Sequence, residues 1–135
     1  INIKVDEDAP SIFGLDKVDP TQEVFVVEGP LDSLFLHNSI ACAGTSFGKI
    51  DQLPIAKENI TIIFDNQPKN RDVGKLMNKY IDQGYRIVIW PDVPGKDINE
   101  MIENGLTSEE IQDIINHNKF QGLAAKAKYA MWRKV

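Results

Sequence analysis

Cysteine is almost absent from this 135-residue chain: Cys42 stands alone, so no intrachain disulfide can form. It lies in the apolar stretch Ser39-Ile40-Ala41-Cys42-Ala43, where a free thiol reads as a small buried residue and fits a reducing compartment. Histidine is scarce too, and His37 and His117 with one Cys give no ligand spacing for zinc. No apolar run approaches a membrane span. The first ten residues hold Asp6, Glu7 and Asp8 and no apolar core, so they do not read as a secretory signal. Neither a GxGxxG after the first strand nor a Walker A loop occurs, which disfavours the usual nucleotide-binding folds. Internal repeats and low-complexity tracts are missing as well.

What is present is a globular composition, 42% hydrophobic and 26% charged, on a chain long enough for one genuine core. The chain starts at Ile1 without a methionine, which reads as a piece of a longer protein. Its net charge of −5 is unevenly spread. Lys119, Lys126, Lys128, Arg133 and Lys134 follow position 118 with no acid among them, so residues 1–118 carry −10. An acidic body beside a basic tail suits a metal-binding face next to a segment that meets phosphate, and equally a solvated helix face.

Residues 1–22 have weak periodicity and read as a lead-in segment, the tail of an upstream region. Strands are expected at 23–28, 39–43, 59–64 and 85–90, where β-branched and aromatic residues run together. Helices are expected at 30–36, with Leu31, Leu34 and Phe35 on one face, at 73–82, at 97–103, from about 108, and at 120–135. Alternating strands and helices imply an α/β fold with a roughly four-stranded parallel sheet, right-handed crossovers and C-terminal helices. The expected division is a core at 23–105 and a helical extension at 106–135.

Three segments end apolar stretches in acids: Val26-Val27-Glu28-Gly29, Ile62-Ile63-Phe64-Asp65-Asn66-Gln67 and Gly95-Lys96-Asp97-Ile98-Asn99-Glu100. The carboxyl ends of parallel strands lie along one edge, where ligands bind, so Glu28, Asp65 and Asp97 can converge. Oxygen ligands gathered that way suit Mg²⁺, which takes one or two carboxylates and leaves room for water and phosphate. Each acid has a plainer role available: a turn hydrogen bond for Glu28, an N-cap for Asp97, dipole compensation for Asp32. Asp65 is the hardest to explain away, because an apolar strand running into an acid needs a partner for that charge.

These segments resemble the Toprim domain, a Rossmann-like fold shared by primases, topoisomerases and several nucleases. Glu28-Gly29 matches its Glu-Gly, with Asp32 at a position often acidic in primases. Asp65-Asn66-Gln67 matches its Asp-x-Asp only in part. Lys96-Asp97-Ile98-Asn99-Glu100 looks like the Lys-Asp-x-Asn-Glu element of phage primases. Phe13-Gly14-Leu15-Asp16 and the run from Glu28 to Leu36 look closest to the T4-like branch. The resemblance spans about residues 13–105. It implies a DNA primase domain that makes short RNA primers in the host cytoplasm, from single-stranded DNA template and ribonucleoside triphosphates, beside a replicative helicase.

Glu28, Asp65 and Asp97 would then be catalytic and hold Mg²⁺ or Mn²⁺. Gly29, Asp32, Lys49, Gln67 and Lys96 would support the site or bind substrate, with Lys49 on the Gly44–Gly48 loop. Lys69, Arg71, Lys126, Lys128 and Arg133 would meet nucleic acid, and Trp132 could stack on a base or pack in a helix. Gln67 removes one anionic ligand, which weakens the metal site unless another acid or the triphosphate completes it. Primases of this class also use an upstream basic motif and a zinc module, so this segment alone is expected to prime poorly. The rivals are a Toprim nuclease and a degenerate module that only binds DNA or a helicase. A topoisomerase fits least, since Tyr80, Tyr85 and Tyr129 all read as helix or strand positions.

Overall fold

A computed structural model describes residues 12–135; residues 1–11, half of the expected lead-in segment and the three acids in it, lie outside the described residues. In chain order the strands are β1 (Ile12–Phe13), β2 (Val24–Val27), β3 (Ser39–Cys42), β4 (Ile60–Ile63), β5 (Arg86–Val88) and β6 (Lys119–Phe120). The helices are α1 (Pro30–Ser33), α2 (Arg71–Asp82), α3 (Ile98–Glu103), α4 (Ser108–Asn116) and α5 (Gly122–Trp132). The strands form one sheet in the order β1-β3-β2-β4-β5-β6. The four expected strands are its parallel centre, with Val26 opposite both Ile40 and Ile62, and Ile62 opposite Ile87.

Strand residues alternate between two cores. Val24, Val26, Ile40, Ile60, Ile62 and Ile87 pack with Met77, Tyr80 and Ile81 of α2 and with Ala125 and Tyr129 of α5. Phe25, Val27, Ala41, Ile63 and Val88 pack on the other side with Ile98 and Met101 of α3 and Ile111 and Ile115 of α4. With both faces covered, the central strands read as unbroken apolar runs rather than alternating ones. Helix α5 lies close on α2: the Tyr129 hydroxyl donates to the Gly74 carbonyl at 3.1 Å, and a Cβ on Gly74 would stand 2.8 Å from that hydroxyl. This Rossmann-like arrangement is compatible with the Toprim fold that the motifs imply.

Several local expectations change. Two edge strands add to the expected four: β1 pairs antiparallel with β3, and β6 with β5. Two residues each are too few for any periodicity to show. Helix α1 stops at Ser33 rather than Leu36, because the Ser39 hydroxyl takes the Ser33 carbonyl at 2.8 Å as the chain turns into β3. Leu31 and Leu34 consequently stand 61% and 65% exposed, and only Phe35 of that expected face packs against a core. Residues 44–52 wind as 3-10 turns instead of an open loop, so no α-helix joins β3 to β4. Phe47 and Ile50 are buried there, and the Tyr80 hydroxyl ties both backbones to α2. Residues 106–135 feed both cores and one edge of the sheet.

Candidate active site

Strand order decides where a ligand can enter. From β2 the chain crosses to β3 on one side; from β4 it crosses to β5 on the other. Between β2 and β4 the connections part, and in open α/β sheets a crevice forms at that switch point, outside the carboxyl ends. Glu28 directly follows β2, and Asp65 follows β4 after Phe64. Asp97 sits beyond β5 as the N-cap of α3, its Oδ1 accepting from the Glu100 N–H at 2.8 Å.

Asp32 completes the group. It is only 6% exposed, and its Oδ1 accepts from the Asn99 N–H of α3 at 2.7 Å. That bond satisfies one of the N–H groups a helix start leaves unpaired. Gly29 makes room for it: a Cβ there would lie 2.9 Å from Asp32 Oδ2. With α1 only four residues long, dipole compensation does not account for this acid. Asp32, Asp65 and Asp97 line one narrow cleft with Val27, Trp90 and Ile98. The Trp90 indole is buried and donates to the Phe64 carbonyl at 2.8 Å, fixing the strand end before Asp65.

The electrostatics agree with convergence. Burial pushes the Asp65 carboxyl up to about 7, helped by the charges of Asp32, Asp97 and Glu28 and opposed by Lys96. Burial likewise pushes Asp32 up to about 6, with the Asn99 bond opposing and Asp97 and Glu28 adding to the rise. In both, burial is the larger cause, and like-charge repulsion within the cluster adds to it.

The remaining candidates divide. Lys96 is near enough to act on Asp65, and its carbonyl accepts from the Asn66 N–H at 2.6 Å. Asn66 also reaches the Val93 and Gly95 carbonyls, so the loops after β4 and β5 are tied together. Gln67 lines a depression with Lys69 and Lys134 rather than the carboxylate cleft. Asp32, not position 67, therefore supplies the further carboxylate that acts on Asp65. Arg71 begins α2, after the Asn70 cap. Lys49 is exposed in the 3-10 segment. Lys126 is held by Asp82 at 2.6 Å and by Asn78, and Lys128 lies over the Phe120 ring. Arg133 lies over the Tyr129 ring.

The donor set fits a hard cation. Four carboxylates with one lysine offer oxygen ligands and an excess of negative charge. Among the described residues no three acidic, His or Cys side chains surround one common metal position as they stand. Mg²⁺ at this site would use one or two of the carboxylates and fill its octahedron with water and phosphate oxygens.

An α/β domain with acids gathered at its switch point is a frame for chemistry on phosphates. No family model matches the chain. Over 139 aligned residues, covering all of this chain, it is 36% identical to the DNA primase of Enterobacteria phage T4. The chain spans 40% of the length of that protein. Along its whole length the chain is thus similar to part of a phage DNA primase. No helix among the described residues is long and apolar enough to cross a membrane.

Proposed function

We propose that this chain is the metal-dependent nucleotidyl-transfer domain of a DNA primase, acting on single-stranded DNA template and ribonucleoside triphosphates with Mg²⁺ or Mn²⁺. One observation carries the reading: Asp32, Asp65 and Asp97, from the segments that follow β2, β4 and β5, line one cleft, with Glu28 and Lys96 near enough to act on Asp65. Asp32 and Asp65 resist full ionisation there, so a bound divalent cation relieves a repulsion already built into the fold.

One or two of Glu28, Asp65 and Asp97 would hold the metal directly and the others through water; the metal would supply charge neutralisation on the triphosphate and activation of the primer 3′ hydroxyl. Glu28 is exposed and can meet solvent-borne ligands, whereas Asp65 is half-buried and Asp32 buried. Asp32 positions α3, and through it Asp97, by its bond to the Asn99 N–H. Lys96 lies where it can balance phosphate charge as substrate enters. A replicative helicase belongs to the same reading, as a partner.

The test is anomalous diffraction from crystals soaked in Mn²⁺ with a ribonucleoside triphosphate, paired with Mn²⁺ titration in solution. A peak among Glu28, Asp65 and Asp97 is expected, as is weaker binding in Asp65→Asn. A site still empty at millimolar Mn²⁺ with triphosphate present overturns the reading in favour of a module that only binds.

A further inference from the structure

We propose that the groove around the end of α5 is a binding path for single-stranded nucleic acid, with the Trp132 indole as its base-stacking platform. Where the strand leads rests on the transfer reading of the carboxylate cleft; the groove itself stands on separate observations.

The last turn of α5 is pinned to the loop that follows Asp65. The Trp132 indole donates to Asn66 Oδ1 at 3.3 Å, and the Lys134 N–H donates to the Pro68 carbonyl at 2.8 Å. Three cavities adjoin along this seam. One of about 550 Å³ is lined by Gln67, Pro68, Lys69, Asn70 and Lys134. One of about 300 Å³ runs past Pro68 and Lys134 to Pro91 and Trp132. The third, about 310 Å³, includes Arg71, Lys75 and Arg133.

Lys69, Arg71, Lys75, Arg133 and Lys134 therefore share one seam, with Asp92 the acid of its lining. Ion pairs among the described residues engage Arg86, Lys119 and Lys126 instead. Five neighbouring cations without acidic partners repel one another, and a polyanion relieves that repulsion while releasing its own counterions. An acidic protein segment would satisfy the charges but make no use of Trp132, which packs on one side against the core and the Tyr129 ring yet still lines the cavity. Trp132 is only partly buried, unlike Trp90, and it lines its cavity beside two prolines. An indole flanked by cations is a platform for an unpaired base, which a duplex does not offer. The groove ends at Asn66 and Gln67, next to Asp65, so a strand lying in it reaches the carboxylate cleft.

Template DNA and the RNA primer share this chemistry, and fluorescence anisotropy with labelled oligo-dT and oligo-rU separates them. Titrations are run in EDTA without triphosphate, across a salt series, on the wild-type chain, the double variant Arg133→Glu/Lys134→Glu, Trp132→Ala, Trp132→Phe and, as a distant control, Lys17→Glu. The double variant is expected to bind at least tenfold more weakly, with a shallower salt slope, by about 0.7 per lost phosphate contact. Trp132→Ala should lose at least fivefold and Trp132→Phe should retain most of the binding; Lys17→Glu should bind as the wild type does. The tighter oligonucleotide identifies the resident strand. Wild-type affinity in the double variant overturns the proposal, as does an equal loss in Lys17→Glu. Because both exchanged side chains are exposed, a thermal melt separates misfolding from lost binding. Mn²⁺ titration of the same variant should be unchanged, so failure of the metal reading and failure of the groove are told apart.

Discussion

Two acidic sites in this domain solve opposite problems. Glu23, just before β2, is surrounded by donors: the Thr61 hydroxyl at 2.6 Å, Lys119 Nζ at 3.0 Å from both carboxylate oxygens, and Arg86 Nε at 3.4 Å. Burial works to raise its pKa, but those hydrogen bonds and charges outweigh it and hold the carboxyl below its usual range. Past the other ends of the strands, Asp32 and Asp65 face Glu28 and Asp97, and their carboxyls rise instead. A matched acid joins neighbouring strands; an unmatched cluster stores repulsion that a cation can release. The contrast separates a structural carboxylate from functional candidates where residue type alone does not.

The sharpest way to break that contrast is to neutralise one acid of the cluster. Asp65→Asn should weaken Mn²⁺ binding by at least about 100-fold, more than the 10–100-fold typical of residues one step removed from a metal. The same variant should melt higher than wild type at pH 8 in EDTA, because the repulsion is gone. Titration calorimetry and a thermal melt read the two effects. A drop in metal-free stability would place Asp65 with Glu23 among matched acids.

Proton linkage gives the next largest effect, with opposite signs at the two sites. Asp65 and Asp32 have folded pKa values raised to about 7 and about 6. The folded chain therefore holds protons that the unfolded chain has released, and stability falls as pH rises from about 4 through 7, then levels. Melting in EDTA should drop over that window by on the order of 5 °C, and millimolar Mg²⁺ should flatten the drop. Glu23, held low, contributes stability that is present above about pH 4.5 and lost as pH falls below it. Melts across pH 3–8 should show a shallower acid limb in Glu23→Gln and a shallower upper limb in Asp65→Asn, where Asp32 still contributes.

Smaller effects refine the comparison. Glu23→Ala should cost about 1–2 kcal/mol in urea unfolding, the modest size reflecting a side chain that water still reaches, while Mn²⁺ affinity stays unchanged. Gly29→Ala places a methyl group 2.9 Å from Asp32 Oδ2. It should shift that carboxylate and weaken Mn²⁺ binding several-fold, with stability altered by less than about 1 kcal/mol.

How much of this was legible beforehand varies by element. The central strands and α2 to α5 are written in local pattern, and their bounds differ from expectation by a few residues. Glu28, Asp65 and Asp97 were visible as acids ending apolar stretches. Asp32 was visible as a supporting acid through the family resemblance, with dipole compensation as its plainer role; its burial against α3, 67 residues away in sequence, shows only in the structure. Gln67 looked like a gap in the metal site, yet it faces the basic seam. Leu31 and Leu34 had helical spacing but no surface to cover, because the turn into β3 cut α1 short.

By itself, the sequence determined which segments extend, which coil, and that acids follow the strands, since periods of 2 and 3.6 are properties of adjacent residues. Strand order, the two antiparallel edges, the switch point between β2 and β4, and the tie from Trp132 to Asn66 were decided only in the tertiary structure. Each depends on pairing between residues far apart in the chain, whose energy comes from contacts that no local pattern records.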